Sequence, residues 1–414
     1  MVHGELWTVK ELFVLPNEYI YWSIQIVMYP YMTGLVAGAF VLSSLYHVFK
    51  VESLKAIARF ALVFSFALLP VAMLPLLLHL QQPLRGIHVL MTPHFTSAIS
   101  AFGIVFMTYG CIVAAEIWFV YRRHIIETIA HLSLKTARGA GDSLLLTIYK
   151  LISLGAADLS DQALRADHKA VRLLAAMGIP VACFLHGYAG FIFGSVKANA
   201  LWMTPLMPVI FICSAVVSGI ALCILSYAVF MGARAHLARR NPDPALSSER
   251  RHGIEEHEVR STSRYLLLFM VLAITLELLD VIFRGYTAVK SWDIVRQVIY
   301  HKDFFKIFVL QYGLGNLLPL VLLLLPRLTT RRACVACALV LFGVLMMRWN
   351  VVIGGQAFSL TFAGFMEYHL PIIPDSMETF KEGLFGALLV AGTPFVIFYF
   401  LNKIFPAFIR EDVH

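Results

Sequence analysis

The sequence predicts an all-α integral membrane protein with about nine transmembrane helices, forming two pseudo-repeated four-helix bundles plus an extra C-terminal helix. Three observations predict it. Hydrophobic residues make up 59% of the 414-residue chain and charged residues 14%, whereas soluble domains are nearer a quarter charged. With a mean hydropathy of +0.78, the chain needs lipid as its solvent. Nine separate segments reach the roughly 20 apolar residues that cross a bilayer. The longest polar connections, 122–170 and 233–262, are too short to hold a soluble cofactor domain.

The first segment, 21–49, opens with Trp22 and Gln25 and contains the run Thr33-Gly34-Leu35-Val36-Ala37-Gly38-Ala39. Met1–Asn17 before it has neither a basic start nor a compact apolar core, so this segment is expected to act as its own insertion signal. The second, 57–80, ends on His79. The third, 97–121, carries Glu116. Residues 142–158 read as an amphipathic helix lying in the interface, with a tenth span there as the alternative. The fourth, 171–194, carries His186 and Tyr188. The fifth, 205–232, contains Ser214-Ala215-Val216-Val217-Ser218-Gly219-Ile220. A charged, breaker-rich linker runs from Arg239 to Arg260. The sixth, 263–288, carries Glu277, Asp280 and Arg284; the seventh is 304–326. The eighth, 333–353, ends on Arg348 and Asn350 and breaks at Gly354-Gly355. Residues 354–382, with Pro371 and Pro374, are expected to fold back along the surface before the ninth segment, 383–404. Several segments exceed a straight crossing, so tilted or overhanging helices are expected.

The first and fifth segments share small residues at four-residue spacing, which lets helices approach closely. That echo motivates a division into 1–194, 195–353 and a surface segment with an extra helix at 354–414. The pattern is common in membrane helices and does not establish a repeat by itself.

The net charge of +8 is no nucleic-acid signal, because the basic residues sit between the segments. Of the 33 Lys and Arg, 23 fall on one side of the predicted topology and 10 on the other. The positive-inside rule then places the N-terminus outside and the C-terminus in the cytoplasm. Four of the six cysteines lie within segments as small apolar residues. Cys334-x-x-Cys337 lacks the second pair or the histidines that zinc or an iron–sulfur cluster needs, so no metal site is expected.

Polar side chains gather toward the outer side. They are His79, Gln81, Gln82, Arg85, His88 and His94; His186, Tyr188, Lys197 and Trp202; Arg348 and Asn350; and Glu18, Tyr19, Trp22 and Gln25. Any one histidine, tyrosine or tryptophan there is ordinarily an interfacial anchor; the clustering raises the functional reading. A quinone site needs apolar walls, donors for two carbonyl oxygens and a proton-exchanging group. Tyr188, His186, His79 and Gln25 supply donors and relays. Arg85, Arg348 and Asn350 would position the site, the arginines stabilising developing negative charge. Glu277, Asp280 and Arg284 share a helix face by their spacing. They read as a neutralised structural group or, with Glu116, as a proton path.

The chain resembles the NrfD/PsrC family of quinone-interacting membrane subunits over nearly all its length. The resemblance rests on Tyr29-Pro-Tyr-Met-Thr-Gly-Leu-Val-Ala-Gly-Ala-Phe, His79-Leu-Gln-Gln-Pro-Leu-Arg85 with Pro93-His-Phe-Thr-Ser97, His186-Gly-Tyr-Ala-Gly-Phe and Trp202-Met-Thr-Pro-Leu-Met-Pro. Arg348-Trp-Asn-Val-Val-Ile-Gly-Gly-Gln356 looks most like the version in the membrane subunit of the sulfite-reduction-linked Dsr complex, with hetero-disulfide-reductase-like complexes as competitors. The resemblance implies two four-helix bundles without haem or an iron–sulfur cluster of their own. It implies menaquinone or ubiquinone as bound substrate, near the outer face of a bacterial or archaeal cytoplasmic membrane. A ferredoxin-like iron–sulfur subunit would dock on that face, with further redox subunits beyond it. Tyr188 matches the tyrosine that the family places on the quinone headgroup. His79 stands where many members have an aspartate, which puts its proton-handling role in question.

Two other classes remain open on the residues alone. A secondary transporter also fits repeats, broken segments and intramembrane charges, but would have a midplane site. A di-haem cytochrome b needs paired histidines deep in facing helices, for which His79 and His186 are the available pair.

Overall fold

The computed structural model describes residues 20–94, 96–135, 139–196, 199–240, 256–287, 292–358 and 364–408. Glu18, Tyr19, Lys197 and most of the Arg239–Arg260 linker lie outside them. Among the described residues nine helices are long and apolar enough to cross a membrane, matching the nine predicted segments. They are span 1 (Ile24–Phe49), span 2 (Glu52–His79), span 3 (Ala98–Leu134), span 4 (Asp161–Gly194), span 5 (Met207–Leu237), span 6 (His257–Tyr286), span 7 (Phe305–Leu324), span 8 (Thr330–Gly354) and span 9 (Leu384–Ile404). Among the described residues there is no strand, only one isolated bridge between Phe358 and Phe365. The membrane face at which span 1 begins is called the N-face below.

Spans 3, 4 and 6 run beyond their predicted limits, by as much as thirteen residues for span 3. Hydropathy marks only the part in lipid, whereas these helices continue as polar turns past it. The overhangs hold one another: Arg122 Nε donates to Asp167 at 2.7 Å and Nη1 to the Asp158 carbonyl at 2.9 Å. The helix Ala140–Ile152 overlaps the 142–158 stretch read from the sequence as interfacial. Its thirteen residues reach only about 20 Å, short of a hydrocarbon core of about 30 Å. Trp118 Nε1 donates to its Ile152 carbonyl at 2.8 Å, and its Tyr149 hydroxyl to the Ile404 carbonyl at 2.8 Å.

Span 1 lies at the centre. Its most apolar window is 94% buried and that of span 5 83%, against 22% in spans 6 and 7, whose large apolar side chains face lipid. Spans 1 and 5 cross through the two small-residue runs singled out in the sequence. A Cβ on Gly38 would run into the Ala215 carbonyl, and one on Gly219 into the Gly38 backbone. Gly315 and Gly343 make a second such crossing between spans 7 and 8. The contact that joins the front half of the chain to the back is thus backbone against backbone. Span 9 packs on spans 1 and 2, with Phe398 against Phe60 and Phe64.

Local chemistry sets the ends. Ser23 caps span 1 by accepting from Gln25 N at 3.2 Å, and Lys50 closes it in the left-handed region at φ 55°. Span 2 breaks at Met73, between helices Lys55–Ala72 and Leu74–His79, because Pro75 has no N–H and its ring crowds the preceding turn. The first part of span 7, Phe305–Leu317, and the end of span 8, Asn350–Gly354, wind as π-helix, a geometry that tends to occur at functional sites. Residues 364–382 run along the N-face and end in the helix Met377–Glu382, which a Ser376–Thr379 capping box opens.

Candidate functional site

The guanidinium of Arg348 is completely buried between spans 1, 4, 5 and 8. Its Nη2 donates to His186 Nε2 at 2.9 Å and to Ser214 Oγ at 2.7 Å. Its plane lies 3.7 Å over the Phe211 ring, a cation–π contact that supports charge without water. No carboxylate bonds to it among the described residues, and its Nε has no partner there.

The hydrogen bonds fix where the protons sit. Thr33 donates its hydroxyl to the Tyr29 carbonyl at 3.1 Å, so it accepts from His186 Nδ1 at 3.3 Å. His186 is therefore the Nδ1–H tautomer, with the Nε2 lone pair receiving Arg348. Ser214 likewise donates to the Phe211 carbonyl at 2.9 Å and accepts from Arg348. Gly34 makes room for the imidazole; a Cβ there would stand 3.1 Å from His186 Cε1. Counted from the helix ends at about 1.5 Å per residue, these groups lie about 9–14 Å below the N-face.

Span 8 carries a second group. Asn350 stands two residues beyond Arg348, about 200° around the helix, and so faces span 7 instead. Its Nδ2 donates to Gln311 Oε1 at 2.8 Å, and Gln311 Nε2 donates to Glu277 Oε2 at 3.0 Å. Tyr312 flanks the same carboxylate. Asp280, one turn from Glu277, is engaged elsewhere. It pairs with Arg284 at 3.0 Å and accepts from the Thr204 hydroxyl at 2.5 Å. Arg284 donates to the Ala200 and Leu201 carbonyls, both at 3.1 Å. This clamp ties the loop before span 5 to span 6. Trp202 and Asn199 of that loop reach the end of span 8, donating to the Val351 and Gly355 carbonyls at 2.5 Å each.

A third group sits at the N-face rim. His79 Nδ1 lies 3.1 Å from both carboxylate oxygens of Glu382, which also accepts from the Ser23 hydroxyl. Gln25 donates to the Lys381 carbonyl. At the opposite end of the bundle, buried Glu116 has one oxygen 3.0 Å from His47 Nδ1 and the other without a partner among the described residues. Between that end and the Arg348 group, the Tyr109 and Ser65 hydroxyls both reach the Val36 carbonyl, at 3.3 and 3.2 Å.

The predicted residues thus fall into several places. Arg348 and His186 join each other. Asn350 and Glu277 are linked through Gln311. His79 and Gln25 meet at the rim, Asp280 and Arg284 form a loop clamp, and Glu116 stands apart. Tyr188 is half-buried beside Phe102, Phe184 and Phe191, with ring centroids 6.4, 5.6 and 5.3 Å away. It points away from its near neighbour His186, as two residues apart on a helix must. Arg85 is exposed on the short turn Pro83–Ile87. His79 and His186 are not a facing pair, since one ring engages Glu382 and the other Arg348 and Thr33.

Sequence reasoning missed Thr33, Ser214, Phe211, Gln311, His47 and Glu382. Gln311 carried a signal, as a polar side chain inside an apolar run. Thr33 and Ser214 were visible only as small packing residues. A cavity of about 210 Å³ opens at the N-face between spans 7 and 8 and residues 366–368, apart from these groups. Its lysines are already engaged, Lys306 with Asp303 at 2.8 Å and Lys302 with the Met366 carbonyl. Among the described residues no cluster of three or more His, Cys, Asp or Glu could hold a metal ion.

Fold and site together define a multi-pass helical membrane protein with a buried polar core near one face of its bundle. The chain belongs to the NrfD family: the family model described as polysulphide reductase, NrfD, matches residues 15–360. It is 28% identical over 342 residues to a subunit of the selenate reductase of Mesobacillus selenatarsenatis, covering 81% of this chain and 74% of that protein. It is 26% identical over 361 residues to a putative membrane subunit of the dimethyl sulfoxide reductase of Halobacterium salinarum, covering 85% and 71%. These comparisons fix the family and no one branch of it; the finer likeness to the Dsr complex has no support among them.

Proposed function

We propose that the protein is the quinone-interacting membrane subunit of a multi-subunit oxidoreductase. It exchanges electrons between menaquinone or ubiquinone in the bilayer and a ferredoxin-like iron–sulfur subunit docked on the N-face. That face is the outer one of a bacterial or archaeal cytoplasmic membrane, and the electrons serve the reduction or oxidation of a sulfur compound or a related oxyanion. The two relatives, one named as part of a selenate reductase and the other as a membrane subunit of a dimethyl sulfoxide reductase, support this reading.

The observation that carries it is the buried Arg348. A fixed positive charge about 9 Å inside the membrane, bonded only to neutral acceptors, favours negative charge developing nearby. His186 and Ser214 hold it in place. Tyr188, half-buried at an apolar fringe, supplies a hydroxyl to a headgroup entering from lipid. Glu116, Glu277 and Asp280 are candidates for proton movement coupled to this exchange.

The test is a titration of the purified protein with the fluorescent quinol analogue heptyl-hydroxyquinoline N-oxide. Saturable quenching is expected, weakened about 2–10-fold in Tyr188→Phe, the worth of one hydrogen bond. Equal affinity in the variant removes Tyr188 from the site. No quenching by a folded protein sinks the quinone reading.

A further inference from the structure

The rim group contains a carboxylate that neither sequence motif nor family match covers. Glu382 lies beyond residues 15–360, on the helix that leads into span 9, yet it is bonded to the end of span 2 and the start of span 1. The seating is specific. The capping box at Ser376 fixes the start of the helix, and Leu384 N donates to the Pro371 carbonyl at 2.9 Å. A Cβ on Gly386 would run into the Lys381 carbonyl, with Gln25 Nε2 of span 1 at 2.7 Å, so a larger residue would push against the turn that seats Glu382.

The protonation pattern follows from the partners. A carboxylate only accepts, and Ser23 already donates to it, so His79 Nδ1 must carry a hydrogen. That leaves Nε2 as a basic lone pair, bonded to no protein group among the described residues. Both side chains touch solvent, His79 at 24% and Glu382 at 20% exposure. Beside them Gln25 is wholly buried, its amide nitrogen bonded to the Lys381 carbonyl and its Oε1 without a donor among the described residues. One basic nitrogen, one orphaned acceptor and an ionised carboxylate open to water therefore meet at one place. The other ionisable groups facing the carboxylate are Lys381 on its own helix and Tyr368, whose hydroxyl accepts from Ile24 N.

We propose that Glu382 is a positioning residue that makes His79 the proton acceptor for quinol at the N-face. The proposal rests on the quinone reading above. When a quinol O–H bond breaks, a new N–H bond forms at His79 Nε2 and the electron leaves to the iron–sulfur partner. The Nε2 proton then leaves to water, which His79 touches, while Glu382 keeps the Nδ1 hydrogen in place, and this resets the ring. Two such cycles account for the two protons and two electrons of one quinol, and quinone reduction runs them backwards. The carboxylate orients the ring and stabilises the imidazolium, as an orienting acid does for any histidine base. Burial alone would push the Glu382 carboxyl up, but the hydrogen bonds from His79 and Ser23 outweigh it and hold it below the ordinary range, so it stays ionised at neutral pH.

The experiment uses the complete complex with its redox partners, comparing wild type, Glu382→Gln and Glu382→Asp. It reads binding of heptyl-hydroxyquinoline N-oxide and the pH profile of iron–sulfur reduction by a short-chain quinol. Glu382→Gln is expected to bind the analogue within about twofold of wild type, to slow reduction on the order of 100-fold near neutrality, and to shift the pH profile; Glu382→Asp restores most of the rate. An unchanged rate and pH profile in Glu382→Gln, with binding intact, overturns the relay and leaves the quinone reading standing. Equal loss of binding in both variants makes Glu382 a structural anchor only and also overturns it. Absence of analogue binding in wild type removes the underlying reading and the relay with it.

Discussion

Ser214 and Thr33 each hold one end of a polar chain whose middle is the Arg348–His186 contact. Ser214→Ala removes one of the two acceptors of Arg348 Nη2 and leaves almost no cavity. It should cost about 1.5–3 kcal/mol, the range for a hydrogen bond to a charged group, seen as a lowered thermal unfolding midpoint in detergent. Thr33→Val keeps the shape but strips His186 Nδ1 of its acceptor, a neutral bond worth about 1 kcal/mol. A larger drop for Thr33→Val than for Ser214→Ala would show that the charge is not what the network is built around. Neither residue announced itself in the sequence, because a small hydroxyl in a small-residue run is equally a packing residue.

At the scale of elements, two contacts hold the arrangement that the site needs. The first is the crossing of spans 1 and 5. Gly38→Leu should force the backbones apart and cost at least the 1–3 kcal/mol or so of an overpacked core, with loss of monodisperse protein on gel filtration. Gly232→Ala is the control: nothing lies within 4 Å of its Cβ position, and alanine is the better helix former by roughly 1 kcal/mol. The second is the docking of Met377–Glu382 on spans 1 and 2. A carboxylate held below its ordinary range contributes stability that is present above the unfolded value, near 4.3, and is lost as pH falls through the lowered one. The protection of 377–382 against hydrogen exchange, taken relative to the intrinsic rate at each pH, should therefore hold from pH 8 to 5 and fall only below about pH 4.

For the whole molecule, the alternation of nine spans puts the Arg348 and rim groups at one face and Glu116 with His47 at the other. The excess of Lys and Arg on the Glu116 side predicts that side to be cytoplasmic. A membrane-impermeant maleimide on intact cells should therefore label Arg85→Cys, on the N-face turn, and spare Lys150→Cys, on the interfacial helix, until the cells are opened. The reverse pattern would invert the orientation and move the iron–sulfur partner to the cytoplasm.

The sequence by itself determined the number and order of the spans, a short helix within 142–158, the two small-residue runs that allow close approach, and the family. Each of these is written locally, as a stretch of apolar residues, an amphipathic period or a glycine spacing. It also named Arg348 and His186, because a charge inside an apolar run is costly enough to stand out. Only the tertiary structure decided which polar groups meet. It set Tyr188 beside Phe102 and His186 against Arg348, turned Asp280 and Arg284 into a loop clamp, and brought Glu382 to a histidine 303 positions earlier in the chain. Those pairings depend on helix rotation and on which helices are neighbours, and both are set by packing between segments far apart in sequence.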